Sequence, residues 1–380
     1  MTFRTRARNA AAQATLSFFV VAGLAGTANA QTYLIDVNNI GDAVVIEQAQ
    51  PDYPGDTVPR GQEGWVRMHF VVTADGSAID PIIIDSSGGA AFEAEAMKAA
   101  STWRFEAPES NLEMPDNLVN IRTRIRRGKD GPSSDFIRDY RAIMQQVVGE
   151  NVEAAREMVD KTESRGGWNL YESTMLWLLI GRVESAEGNV AEKLEAYRRA
   201  ISMSTRRSLG DKDRLGLLGR IFALQDEFGH YADAARTFAR LQKMDEDDDL
   251  LAELSPRGAE IEALLQSDED LTARATIYNP CDCDAGQPLW YYKPARRTFS
   301  FANTDGNVER FEARCETDRI QGDVEEGKSW TLAPEWGSCR LFVFGDDGAS
   351  FDFVEHVAEV QEQNSDDDAV ARKNVLDRRN

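Results

Sequence analysis

The spacing of apolar residues changes period twice along this chain, and that change limits its architecture more than any single residue does. Across residues 65–72, Val66, Met68, Phe70 and Val72 alternate with Trp65, Arg67, His69 and Val71, the period of two expected of a strand with one buried face. From Phe136 through Tyr140, Ile143, Met144 and Val147 the spacing becomes helical, and it stays so to about residue 267. From residue 273 to 357 alternation returns. A chain of 380 residues is long enough for two or three domains, and the two changes of period mark three: a multidomain α+β protein.

The first part, residues 31–128, reads as a small α/β unit. Asp75-Gly76 supplies a tight hairpin turn after the first strand, and residues 79–84 pair back as the second. The run AAFEAEAMKAASTWRF then sets Phe92, Ala96, Ala99 and Trp103 along one helical stripe, able to cover the apolar sheet face. A third strand follows in LVNIRTRIRRG: Val119, Ile121, Thr123 and Ile125 face one way, and Asn120, Arg122, Arg124 and Arg126 the other. Three strands with one helix leave an open edge whose backbone donors and acceptors can receive an extended peptide. The arginines there either protect that edge or select an acidic partner.

Ser133 or Ser134 caps the first helix of the second part, residues 134–268. Gly149, Ala154 and Met158 recur as Gly188, Lys193 and Tyr197, and again as Gly229, Ala234 and Phe238. A turn glycine, a small residue and a bulky one at fixed offsets describe helical hairpins in which the small side chain admits the second helix and the large one locks it. The pattern, with Trp177 and Gly181 ahead of Tyr197, resembles a degenerate tetratricopeptide array. The acidic run that follows, Asp245 to Asp249, lacks the glycine and the terminal acid of a calcium loop and reads as a solvated turn.

In the third part, residues 273–357, RTFSFA and GNVERFEARC flank Asn303-Thr304-Asp305-Gly306, and CRLFVF and ASFDFVEH flank Gly345-Asp346-Asp347-Gly348; both pairs read as hairpins of a small β-domain. Cys281, Cys283, Cys315 and Cys339 all fall here. An even number in an exported chain reads as two disulfides, with Cys281 and Cys283 each expected to pair with Cys315 or Cys339, because a bridge between the first two would close a very tight ring. The Trp290-Tyr291-Tyr292 run is either core or a stacking surface for a sugar or peptide. Residues 358–380 have the composition of a disordered tail.

Residues 1–30 carry Arg4, Arg6 and Arg8, then an apolar run from Leu16 to Gly26, then Ala28-Asn29-Ala30 before Gln31, the layout of a cleaved signal peptide. Its removal takes the formal net charge from -22 to -25, a surface that repels phosphate backbones and anionic headgroups. The three histidines, His69, His230 and His356, lie in different parts, with His69 expected on a partly exposed sheet face. Nucleophile-elbow, metalloprotease and nucleotide-binding glycine motifs are missing from the sequence. The residues therefore point to no enzyme, no cofactor and no metal.

Residues 51–108 resemble the C-terminal domain of TonB-family energy transducers. The likeness runs in order through Pro51-Asp52-Tyr53-Pro54, Gly61, Gly64-Trp65-Val66, Asp75-Gly76, Ser86-Ser87-Gly88, Phe92, Ala96, Trp103-Arg104-Phe105 and Pro108. The resemblance implies a periplasmic protein that binds an extended segment of an outer-membrane TonB-dependent transporter by strand addition at its last strand, here Val119, Asn120, Ile121, Arg122, Arg124 and Arg126; a second copy of the chain is the other partner considered. Two further readings stand beside it: an inner-membrane anchored energy transducer that retains Leu16 to Gly26, and an envelope glycan-binding protein or enzyme using the Trp290 region.

Overall fold

The structure, a computed structural model, describes residues 33–40, 43–54, 62–108, 113–125, 131–244, 249–281 and 287–357. The expected signal peptide, Arg126, Cys283, most of the acidic run and the C-terminal tail lie outside the described residues.

The first sheet holds β1 (Tyr33–Ile40), β3 (Gly64–Val72), β4 (Ala78–Ser86) and β6 (Met114–Ile125), in the order β1-β6-β3-β4 and antiparallel throughout. The Asp75-Gly76 turn joins β3 to β4 as the sequence predicts, with Gly76 at φ 82 and its amide bonded to the Thr73 carbonyl. Helix α1 (Ala90–Ala100) lies on the face formed by Val66, Met68, Phe70, Val119 and Ile121, and adds Phe92, Ala96 and Ala100 to that core. Trp103, fully buried, meets the Phe70 ring edge-on and donates its indole N–H to the Ala49 carbonyl. A small pair, β2 (Val45–Glu47) with β5 (Arg104–Phe105), closes the module.

Seven helices follow: α2 (Ser134–Val148), α3 (Val152–Arg165), α4 (Leu170–Glu187), α5 (Val190–Met203), α6 (Asp211–Glu227), α7 (Tyr231–Gln242) and α8 (Asp249–Leu265). Ser133 caps α2 by accepting from the Phe136 amide, and Asn169 with Glu172 forms a capping box on α4. Gly188 and Gly229, at φ 82 and 70, turn α4 into α5 and α6 into α7. The bulky repeat positions seat against glycines on neighbouring helices: a Cβ on Gly181 would overlap the Tyr197 ring, and one on Gly258 would overlap Phe238. The clearance thus comes from the facing helix rather than from the residue five after the turn, so Lys193 does no harm there. Among the described residues no helix is long and apolar enough to cross a membrane.

The last part is two four-stranded antiparallel sheets built from β7 (Leu271–Thr276), β8 (Leu289–Tyr292), β9 (Thr298–Asp305), β10 (Val308–Cys315), β11 (Arg319–Asp323), β12 (Ser329–Thr331), β13 (Cys339–Gly345) and β14 (Ser350–His356). Their orders are β11-β10-β13-β8 and β12-β9-β14-β7. Neither expected hairpin forms. The turns at 303–306 and 345–348 each carry the chain from one sheet to the other, so β9 pairs with β14, and β10 with β13. Phe299, Phe301, Phe311, Phe351 and Phe353 fill the space between the sheets. Cys315 and Cys339, partners across β10 and β13, are bridged to each other with Cα atoms 3.9 Å apart, which corrects the pairing expected from the sequence. Trp290 and Tyr292 stack within the same core at 5% and 1% exposure, so they offer no face to a sugar.

Candidate protein-docking edge

The edge on which strand addition was expected is already in use. β6 is an inner strand, flanked by β3 and β1, and β1 pairs along it from Tyr33 opposite Ile125 to Ile40 opposite Leu118. Val119, Ile121 and Thr123 point into the core beneath α1, as their alternation predicts. On the other face, Arg124 forms an ion pair with Asp36 of β1, and Arg122 donates to the Ser202 carbonyl at the end of α5 at 3.1 Å. Asn120 lies opposite Asn38 on β1 and Arg67 on β3. Arg122 and Arg124 are therefore each engaged by the chain's own helix or strand.

The opposite edge, β4, is blunted. Asp80 has φ 48, its neighbour Pro81 has no amide hydrogen, and the register slips twice along the β3–β4 ladder. Bulges and prolines are how natural sheets discourage edge pairing. Arg314, from β10, takes the Asp80 carbonyl at 3.0 Å, and Arg319 binds the Asp80 carboxylate at 2.6 Å.

The second face of the sheet is also buried, whereas the alternation of residues 65–72 predicts one buried face. Trp65 packs with Leu170, Met203 and Trp177 of the helices. Ile84 and Leu118 pack against Leu289, Phe342 and Phe344 of the β-sandwich. His69, expected near the surface, is completely buried between these contacts. Its Nε2 lies 2.6 Å from Asp116 Oδ1, its Nδ1 lies 3.3 Å from the Arg314 guanidinium, and its ring meets Phe342 edge-on. Asp116 only accepts and Arg314 only donates, so the neutral imidazole carries its proton on Nε2. Burial lowers the His69 pKa to about 4. Despite its own burial, Asp116 stays below the usual carboxylate range because of the hydrogen bond from His69 and the charge of Arg340, 3.3 Å away. Arg314, at 1% exposure, completes the cluster by pairing with Glu312 at 2.8 Å.

The remaining histidines are structural too. His230, in the α6–α7 turn, lies 2.6 Å from the Arg274 carbonyl through Nε2 and contacts the Trp290 and Tyr292 rings. His356 bridges Asp270 and Ser300. Gly229 lies so close to the Thr272 carbonyl that no Cβ could fit, so the turn that joins two helices also docks them on β7.

Residues 49–126 match the family model for the C-terminal domain of the Gram-negative bacterial TonB protein. A solution NMR structure of the TonB C-terminal domain from Pseudomonas aeruginosa is similar at 27% identity, covering 23% of this chain and 91% of that one, with a TM-score of 0.21. No curated protein matches the chain.

Proposed function

We propose that this chain is a non-enzymatic protein-binding component of the bacterial envelope, facing the periplasm, and that its TonB-like module recognises an extended segment of an outer-membrane TonB-dependent transporter by strand addition. The observation that carries the reading is the family match over residues 49–126, which spans β3, β4, α1 and β6. The Cys315–Cys339 bridge fits an oxidising compartment. Backbone pairing along a strand gives affinity, and the side chains on either side of it give selectivity.

In this reading the module is a fixed part of a larger body. Trp65 and His69 anchor it to the helices and the sandwich, which suits a scaffold that presents a bound segment. Biolayer interferometry of the full chain against immobilised periplasmic segments of outer-membrane transporters tests it. Saturable binding to at least one segment is expected; failure to bind any of a full set contradicts the reading.

A further inference from the structure

We infer that residues 33–40 are an internal stand-in for the partner, holding the β6 edge until a segment of similar pattern replaces them; this rests on the function proposed above. The first ground is position. β1 precedes residue 49, so the strand that closes the edge is not part of the matched module. The second is the shallowness of its hold. Among the described residues β1 has one neighbouring strand, and Ile35 and Val37 are only half-buried against a core in which Val119 and Ile121 are 0% and 2% exposed. Strands held on one side open at low cost compared with inner strands.

The third ground is what removal of β1 would leave: a row of bare β6 amides and carbonyls, with Arg124 deprived of Asp36. Arg122 would stay on Ser202. With β4 blunted by Asp80 and Pro81, β6 is the strand that displacement of β1 would open to a partner. β1 itself then shows what fits: an extended, antiparallel segment with apolar residues at the Ile35 and Val37 positions and an acid between them, where Asp36 meets Arg124. The partner is an acidic-apolar alternating peptide.

The test uses a labelled synthetic peptide of sequence YLIDVNNI and the full mature chain, read by fluorescence anisotropy. A lock is made from Asn38→Cys with Asn120→Cys, which face each other across β1 and β6, oxidised and checked for an unchanged circular dichroism spectrum. The unlocked chain should bind slowly and saturably, and the lock should weaken binding by more than about tenfold, the loss of ~1.4 kcal/mol. A peptide carrying lysine in place of its aspartate should bind about fivefold more weakly. Equal binding to locked and unlocked chains overturns the inference while leaving the proposed function intact. So does an intact chain that binds a transporter segment but not this peptide. A concentration-dependent dimer seen in the unlocked chain alone would assign the edge to a second copy and likewise overturn it. If neither peptide nor transporter segments bind, both readings fall.

Discussion

The guanidinium of Arg314 donates to Nδ1 of His69 at 3.3 Å across 245 residues of sequence, one of several contacts that join the TonB-like sheet to the β-sandwich. An unfolded histidine titrates near 6.5, whereas His69 does so at about 4. Between those values the unfolded chain holds a proton that the folded chain refuses. Its contribution to stability is therefore complete above pH 6.5 and is lost as pH falls toward 4, at roughly 1.4 kcal/mol per pH unit and about 3 kcal/mol in all. Urea unfolding of the wild type and His69→Gln at pH 7.5 and 4.5 checks this: the variant should lose less stability between the two.

Replacing Arg314 by methionine should be more damaging than its chemistry suggests. It takes the donor from the Glu312 carboxylate, the Asp80 carbonyl and Nδ1 of the buried His69, leaving Glu312 with the Arg319 guanidinium 3.7 Å away. Loss of one partner from a buried charge cluster costs about 3 to 5 kcal/mol. The expected calorimetric result is a lower first transition and a split between the module and the sandwich, where a single transition is expected of the wild type.

Gly181→Leu should destabilise the helical hairpin of α4 and α5 by about 1 to 3 kcal/mol, because the new side chain falls on the Tyr197 ring. Tyr197→Ala alone should also destabilise. The double variant should be more stable than the sum of the two predicts, and a double-mutant cycle by denaturant melting measures the difference.

The Cys315–Cys339 bridge closes a loop with a sequence separation of 24 between neighbouring strands. A loop of that size contributes about 3 kcal/mol, chiefly by restricting the unfolded chain. Cys315→Ala with Cys339→Ala should lower the melting temperature by several degrees while leaving β10 and β13 paired, as hydrogen exchange of their amides would show.

The parts of this molecule visible in the sequence are those with local causes. The β3–β4 hairpin follows from Asp75-Gly76, the α1 stripe from Phe92 and Ala96, and the α2 start from Ser133. What the sequence concealed depends on distant partners. The pairing of β1 with β6 joins segments some 85 residues apart, although Ile35 and Val37 alternating with Asp36 and Asn38 carry a strand signal of their own. The burial of both sheet faces is legible in the run GWVRMHFVV, where Trp65 and Val71 lie on the face opposite Val66 and Met68; strands covered on both faces read as near-continuous apolar runs. The segments 303–306 and 345–348 carry clear turn residues, but a turn sequence does not say whether the strands beside it pair or separate into two sheets.

Hydrogen exchange of the intact chain, with and without a transporter segment that it binds, tests the central claim most directly. If the segment takes the place of β1, amides of residues 33–40 lose protection on binding while those of residues 118–125 keep theirs. Unchanged protection of residues 33–40 in the saturated complex would mean that the partner docks elsewhere and that the β6 edge belongs permanently to the chain itself.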